Sequence, residues 1–218
     1  VSRRVYVLFG PPGSGKSSIV DHVARQADLL GVHSGRQLEA EADRNEELGQ
    51  RLRRTMTKGE LVPVEMVMEA IARPIDQNPD KDVLLEGFPR TAVQISNWQG
   101  LLDKHSLNFD VGVILELDED TARKRLEGRR ICEECGRVYN IYFFPPKEEG
   151  KCDACGGKLV QREDDRPEVV EKRLEEYREK TMPAEKEMKR RFPGKMVTVD
   201  GNQGFDDEVA AVRKAIDR

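Results

Sequence analysis

Gly10-Pro11-Pro12-Gly13-Ser14-Gly15-Lys16-Ser17 follows the apolar run Val5–Phe9 and opens into a helix-compatible segment, Ser18–Ala27. The pattern is G-x-x-x-x-G-K-S, and its spacing follows from the chemistry of holding phosphate. The glycines let the backbone fold back and turn successive N–H groups toward one set of oxygens. The helix behind the loop adds its positive dipole end. Lys16 contributes a full charge, and Ser17 or Ser18 a hydroxyl that can sit beside a magnesium ion. Gly10, Gly13, Ser14, Gly15, Lys16, Ser17 and Ser18 are therefore the candidate ligands of a nucleotide's phosphates. A plain glycine-rich turn is the alternative. A strand before the complete motif and a helix after it favour the phosphate loop.

Outward from this loop, apolar runs alternate with helical stretches. Val5–Phe9, Leu29–Val32, Val83–Leu85, Asp110–Leu117 and Met196–Val199 read as strands. Continuous apolar character suits strands buried on both faces, and strand–helix alternation predicts an α/β fold with a five-stranded parallel sheet flanked by helices. Two charged helices are expected near 37–47 and 46–58, the second ended by Gly59. Others are expected from about Pro63 to Ile75, from Arg90 to about Lys104, over 121–127, and over 205–216. A long polar helix should begin near Pro167 and bend at Met182-Pro183.

The length of 218 residues fits one core domain with insertions. A charged fraction of 36% predicts a very polar surface, and a net charge of −4 gives no global basic field to attract nucleic acid. No apolar run approaches a membrane span. The chain enters a strand at once, which predicts no secretory leader and a cytoplasmic protein.

Cys132-x-x-Cys135 and Cys152-x-x-Cys155 are the second signal. Two such pairs, each followed by glycine, can set four thiolates tetrahedrally around a structural zinc. Disulfides or free thiols are the alternative, which a reducing compartment disfavours. Four cysteines leave no open position for catalysis at the metal. A zinc ribbon can also bind nucleic acid, but 129–166 carries equal numbers of basic and acidic residues.

Arginines at turns and element ends are the third signal. Arg90 follows a strand, Arg125 and Arg129 lie at a helix end, and Arg162 and Arg173 flank Asp164-Asp165. Any one of them could be a solvated surface charge. Phosphoryl transfer, however, needs positive groups converging on several oxygens, and a phosphate loop is present to supply the reason.

With these motifs in order, the chain resembles the nucleoside monophosphate kinases, in particular long-form bacterial adenylate kinases with a zinc-bearing lid. The resemblance rests on 10–18, Glu86-Gly87-Phe88-Pro89-Arg90-Thr91, Gly128-Arg129-Arg130, Tyr139-x-x-x-Phe143-x-Pro145-Pro146 and Arg162-x-Asp164-Asp165. It implies a P-loop core (1–32, 63–127 and 166–218), a helical insert that binds the nucleoside monophosphate (33–62), and a lid (128–165) that closes over ATP. It implies ATP and AMP as substrates, magnesium with ATP, a structural zinc and a monomer. Lys16 would contact the transferring phosphates. Arg90 would hold the monophosphate, with Gly87 beside it, and Gln94 would read its base. Arg125 and Arg129 would bind ATP, and Arg162 and Arg173 would clamp the transferring group. Alternatives are a kinase for another nucleoside monophosphate and a zinc-ribbon ATP-dependent switch that binds nucleic acid.

The chain departs from the family at three places. Glu86 stands where aspartate is usual near magnesium, and Ser17-Ser18 where Gly-Thr is usual. The usual Thr-Gly-Asp reads Ser34-Gly35-Arg36, and the arginine expected beyond it is Glu39. A carboxylate facing a phosphate is repulsive, so either a substitute cation takes over or the acceptor site is altered. Arg36, one helical turn before Glu39, is the candidate, with Glu39 paired to Arg36 or another arginine of the insert.

Overall fold

The computed structural model describes residues 2–44, 46–57 and 62–217. Its first half runs β1 (Arg3–Phe9), α1 (Lys16–Ala27), β2 (Leu30–His33), α2 (Ser34–Arg44), α3 (Glu46–Thr57), α4 (Val64–Gln77), β3 (Val83–Glu86), α5 (Ala92–Lys104), β4 (Leu107–Glu116) and α6 (Glu119–Glu127). Three short strands follow, β5 (Arg129–Cys132), β6 (Val138–Asn140) and β7 (Leu159–Val160). The chain ends with α7 (Pro167–Glu176), α8 (Met182–Arg191), β8 (Met196–Asp200) and α9 (Phe205–Ile216). The expected end of α3 at Gly59 lies outside the described residues.

Five parallel strands form the main sheet in the order β2-β3-β1-β4-β8. The period of two divides β1 between two cores. Val5, Val7 and Phe9 enter the cluster on one face, and Tyr6 and Leu8 the cluster on the other. Both faces are covered by helices, which is why the strands read as unbroken apolar runs. Sequence order reverses between β3 and β1 on one side and β4 on the other, so a crevice opens beyond the carboxyl end of β1. The loop 10–15 lies there.

Two boundaries differ from expectation. β4 begins at Leu107 rather than Asp110, because Leu107 and Phe109 are buried while Asn108 between them is exposed. That alternation extends the strand beyond its apolar run. The bend expected at Met182-Pro183 comes one turn earlier, as a π-helical turn over Tyr177–Thr181. Pro183 then occupies the first turn of α8, where its missing N–H breaks no helical hydrogen bond.

A separate antiparallel sheet, β6-β5-β7, carries the cysteines. It is tied to the main body by Asn140, whose Nδ2 donates to the carbonyl of Arg125 at 2.9 Å. No helix among the described residues is long and apolar enough to cross a membrane.

Trp98 anchors the larger core, 1% exposed between Phe88 and Phe109. Its Nε1 is buried with no hydrogen-bond partner among the described residues. Trp98→Ala should cost about 3–5 kcal/mol of unfolding free energy. Trp98→Phe should cost clearly less, since it keeps a ring and removes the unpaired donor. Urea denaturation of the two variants checks this, and equal losses would contradict it.

Candidate active site and metal centre

β1 delivers the chain into the phosphate loop, and Gly15, at φ +81°, begins α1. Gly13 must be glycine for a packing reason as well as for its φ of +84°. A Cβ there would come within 2.6 Å of the Ala122 carbonyl oxygen on α6. The Lys16 ammonium folds back over the loop and donates to the carbonyls of Gly10 (2.8 Å) and Pro11 (2.7 Å) and to Ser14 Oγ (3.1 Å). Burial pulls its pKa down to about 8, and the cations Arg90 and Arg173 act the same way against Glu86 and Glu185. An incoming phosphate would raise it again. Behind the loop, buried Glu185 accepts from the Gly10 N–H (3.0 Å) and from the Tyr177 hydroxyl (2.9 Å).

Glu86, at the end of β3, is buried and accepts from Ser17 Oγ at 2.9 Å. Burial opposes its ionisation, but His33 and the charges of Lys16 and Arg90 outweigh that and hold it at about 2. His33 Nδ1 lies 3.4 Å from Glu86 and Nε2 2.8 Å from Asp21. Burial lowers the affinity of His33 for its proton, and the two carboxylates more than reverse this, so its pKa rises. Asp21 also takes both Nη atoms of Arg36, at 2.8 and 2.7 Å. Ser34 is buried at the start of α2, and a Cβ on Gly87 would lie 2.2 Å from its hydroxyl oxygen.

Arg90 donates through Nε to the Gly87 carbonyl (2.7 Å). The Phe88–Pro89 bond before it is cis. The amide oxygen of Gln94 accepts from the Arg90 backbone N–H, and Gln94 is 3% exposed, so its side chain braces the turn rather than standing in open space.

The remaining arginines are held by acids. Asp165, fully buried, accepts from Arg129 through both oxygens (2.7 and 2.6 Å) and from Arg173 (3.0 Å). Asp164 pairs with Arg162 at 2.8 Å and with Arg173 at 3.1 Å. Glu39 lies 3.5 Å from Arg162, so among the described residues its ion pair reaches toward the segment after β7 rather than to Arg36. Arg125 lies 3.4 Å from Glu208, and its guanidinium stands 5.9 Å over the Phe143 ring. Burial pushes Glu208 up to about 7 despite the pull of Arg125.

All of this surrounds one cavity of about 1040 Å³. Its walls include Lys16, Arg90, Arg125, Arg129, Arg162 and Arg173, together with Ser17, Ser18, Gly35 and Arg36. Ser34 and Gln94 stand behind the wall. Sequence reasoning missed Asp21, His33, Glu185 and Glu208. His33 ended an expected strand, and the three acids sit in charged helices where an acid on the surface reads the same as an acid turned inward.

The four cysteines come together between β5, β6 and β7. Their sulfurs all lie within 4.8 Å of one another, with Cys132–Cys155 at 3.4 Å and Cys135–Cys152 at 3.6 Å. These are free thiols. The separations match the edges of a tetrahedron with metal–sulfur bonds of about 2.3 Å. The N–H of Gly136 donates to the Cys132 carbonyl and that of Gly156 to the Cys152 carbonyl, closing the two turns. The cluster therefore fits a zinc ion.

A phosphate loop at the sheet's switch point, facing converging arginines, defines a P-loop phosphotransferase. A model of the adenylate kinase family matches residues 8–190. The adenylate kinase of Thermococcus onnurineus is 36% identical over 97% of this chain and 93% of its own. That of Thermotoga neapolitana is 37% identical over 96% of both, and that of Thermosipho melanesiensis 35% identical over 97% and 99%. The chain belongs to the adenylate kinase family.

The bridge at His33 makes stability depend on pH. Its folded pKa is raised, so its contribution is fully present below the unfolded value near 6.5 and is lost as pH rises through the folded value. Urea midpoints between pH 6 and 9 should fall more steeply for the wild type than for His33→Gln. Parallel profiles would contradict the bridge.

Proposed function

We propose that the cavity carries reversible phosphoryl transfer from ATP to AMP, giving two ADP. The observation that supports this most is the convergence of Lys16, Arg90, Arg129, Arg162 and Arg173 on one cavity that is lined at one end by the phosphate loop. The acceptor is already a phosphate anion, so no protein base is required. Positioning and neutralisation of charge suffice.

In this reading, residues 33–62 form the acceptor insert and 128–165 the lid, with 1–32, 63–127 and 166–218 as the core. Lys16 leaves the loop carbonyls for the transferring phosphates. Arg90 and Gly87 receive the acceptor phosphate, with Ser34 and Gly35 beside it, and Gln94 both holds the turn that presents Arg90 and reads the acceptor's base. Arg125 and Arg129 bind ATP, and Arg162 and Arg173 close on the moving group. Ser17 and the ionised Glu86 would hold magnesium, which offsets negative charge on the donor phosphates when bound. Zinc on Cys132, Cys135, Cys152 and Cys155 would hold the lid's fold, since its buried cluster is only Cys132, Tyr139, Cys152 and Leu159. The protein acts as a cytoplasmic monomer without nucleic acid or membrane as partner.

Arg36 remains the substitute for the arginine missing at Glu39. It lines the cavity, and an arriving monophosphate competes with Asp21 for its guanidinium. Arg36→Ala should raise KM for AMP strongly and leave that for ATP nearly unchanged. An unchanged AMP constant would contradict the substitution.

A coupled assay of ADP release across a panel of nucleoside monophosphates tests the activity. AMP should be the best acceptor, and a different preferred acceptor would overturn the assignment. Lys16→Ala should lose on the order of a hundredfold or more in rate with the fold intact. Elemental analysis should find about one zinc per chain.

A further inference from the structure

Glu208 is a buried carboxyl of the cavity wall to which the phosphate chemistry gives no role. Glu208 stands in the first turn of α9 and is 2% exposed, whereas Asp206 and Asp207 beside it face solvent. Its Oε1 accepts from both Nη atoms of Arg125 at 3.4 Å. Its Oε2 points toward Gly15, where an added Cβ would lie 3.8 Å away, and takes no hydrogen bond from a described residue. The charged groups that act on it are Arg125 from α6 and Asp200 at the end of β8.

The fold gains nothing from an acid here. Val209 and Val212 of the same helix are core residues, and an apolar side chain would be cheaper to bury than a carboxyl with one long ion pair. What the acid does is hold the Arg125 guanidinium over the Phe143 ring, at the wall of the cavity. A guanidinium held in one plane loses little freedom when a flat base stacks on it.

We infer that Glu208 is a positioning residue for the donor nucleoside, fixing the Arg125 guanidinium beside Phe143 at the cavity wall so that it takes the base of ATP. The inference rests on reading the cavity as the site of ATP:AMP transfer.

Steady-state kinetics of the wild type, Glu208→Gln, Arg125→Ala and the double variant test it. Glu208→Gln should raise KM for ATP about five- to tenfold, with kcat at saturating ATP and KM for AMP changed by less than about twofold. In the Arg125→Ala background the same substitution should add nothing, because it acts through that guanidinium. Glu208→Leu should raise Tm while also raising KM for ATP, a pairing that a merely structural role does not give. The inference is overturned if Glu208→Gln leaves KM for ATP within about twofold, or if its full effect persists without Arg125. A wild type with no ATP:AMP transfer overturns the functional reading and this inference together. An active wild type with an indifferent Glu208→Gln overturns this inference alone.

Discussion

The fully buried carboxylate of Asp165 joins parts of the chain that would otherwise be independent. Arg129 opens the cysteine-bearing sheet, Asp165 closes the segment that follows it, and Arg173 belongs to α7 of the main body. One acid thus binds both ends of the small sheet to the core. Removing a partner from such a buried network typically costs roughly 3–5 kcal/mol, because the remaining charges are left uncompensated. The Asp165 network thus acts beside the Asn140–Arg125 hydrogen bond in joining the cysteine-bearing sheet to the main body.

The same device recurs around the cavity. Arg162 is held by Asp164, Arg125 by Glu208, Arg36 by Asp21 and Lys16 by loop carbonyls. A site that must gather phosphates needs many cations close together, and like charges at these distances repel. The acids beside them relieve that repulsion before any substrate arrives. They also fix each guanidinium in a plane, so that less ordering is left for the moment of binding. Glu39 fits this pattern. Among the described residues it pairs with the Arg162 guanidinium, which lines the same cavity.

The parts of this arrangement that were legible in the sequence are those that backbone geometry dictates. Gly13 and Gly15 are written into the phosphate loop because their φ angles and close approaches admit little else. The cysteine pairs are written by metal coordination, and the five strands by burial on both faces. What stayed hidden has no such constraint. Glu185 and Glu208 lie in helices that carry other acids, where only the tertiary packing shows which acid turns inward. Asp21 and His33 come together because β2 lies beside the start of α1, a juxtaposition no local pattern encodes. The pairing of Glu39 with Arg162 joins positions far apart in the chain, and helical spacing alone pointed to Arg36 instead.

The proposed transfer requires one cavity to hold donor and acceptor together, with the cations of its wall between them. Calorimetric titration with two adenosines joined by a pentaphosphate, a single molecule carrying both nucleosides and all the phosphates, tests it directly. The account predicts one molecule bound per chain, displaced in competition by ATP and by AMP alike. Binding of two molecules per chain, or competition with only one of the nucleotides, would contradict it.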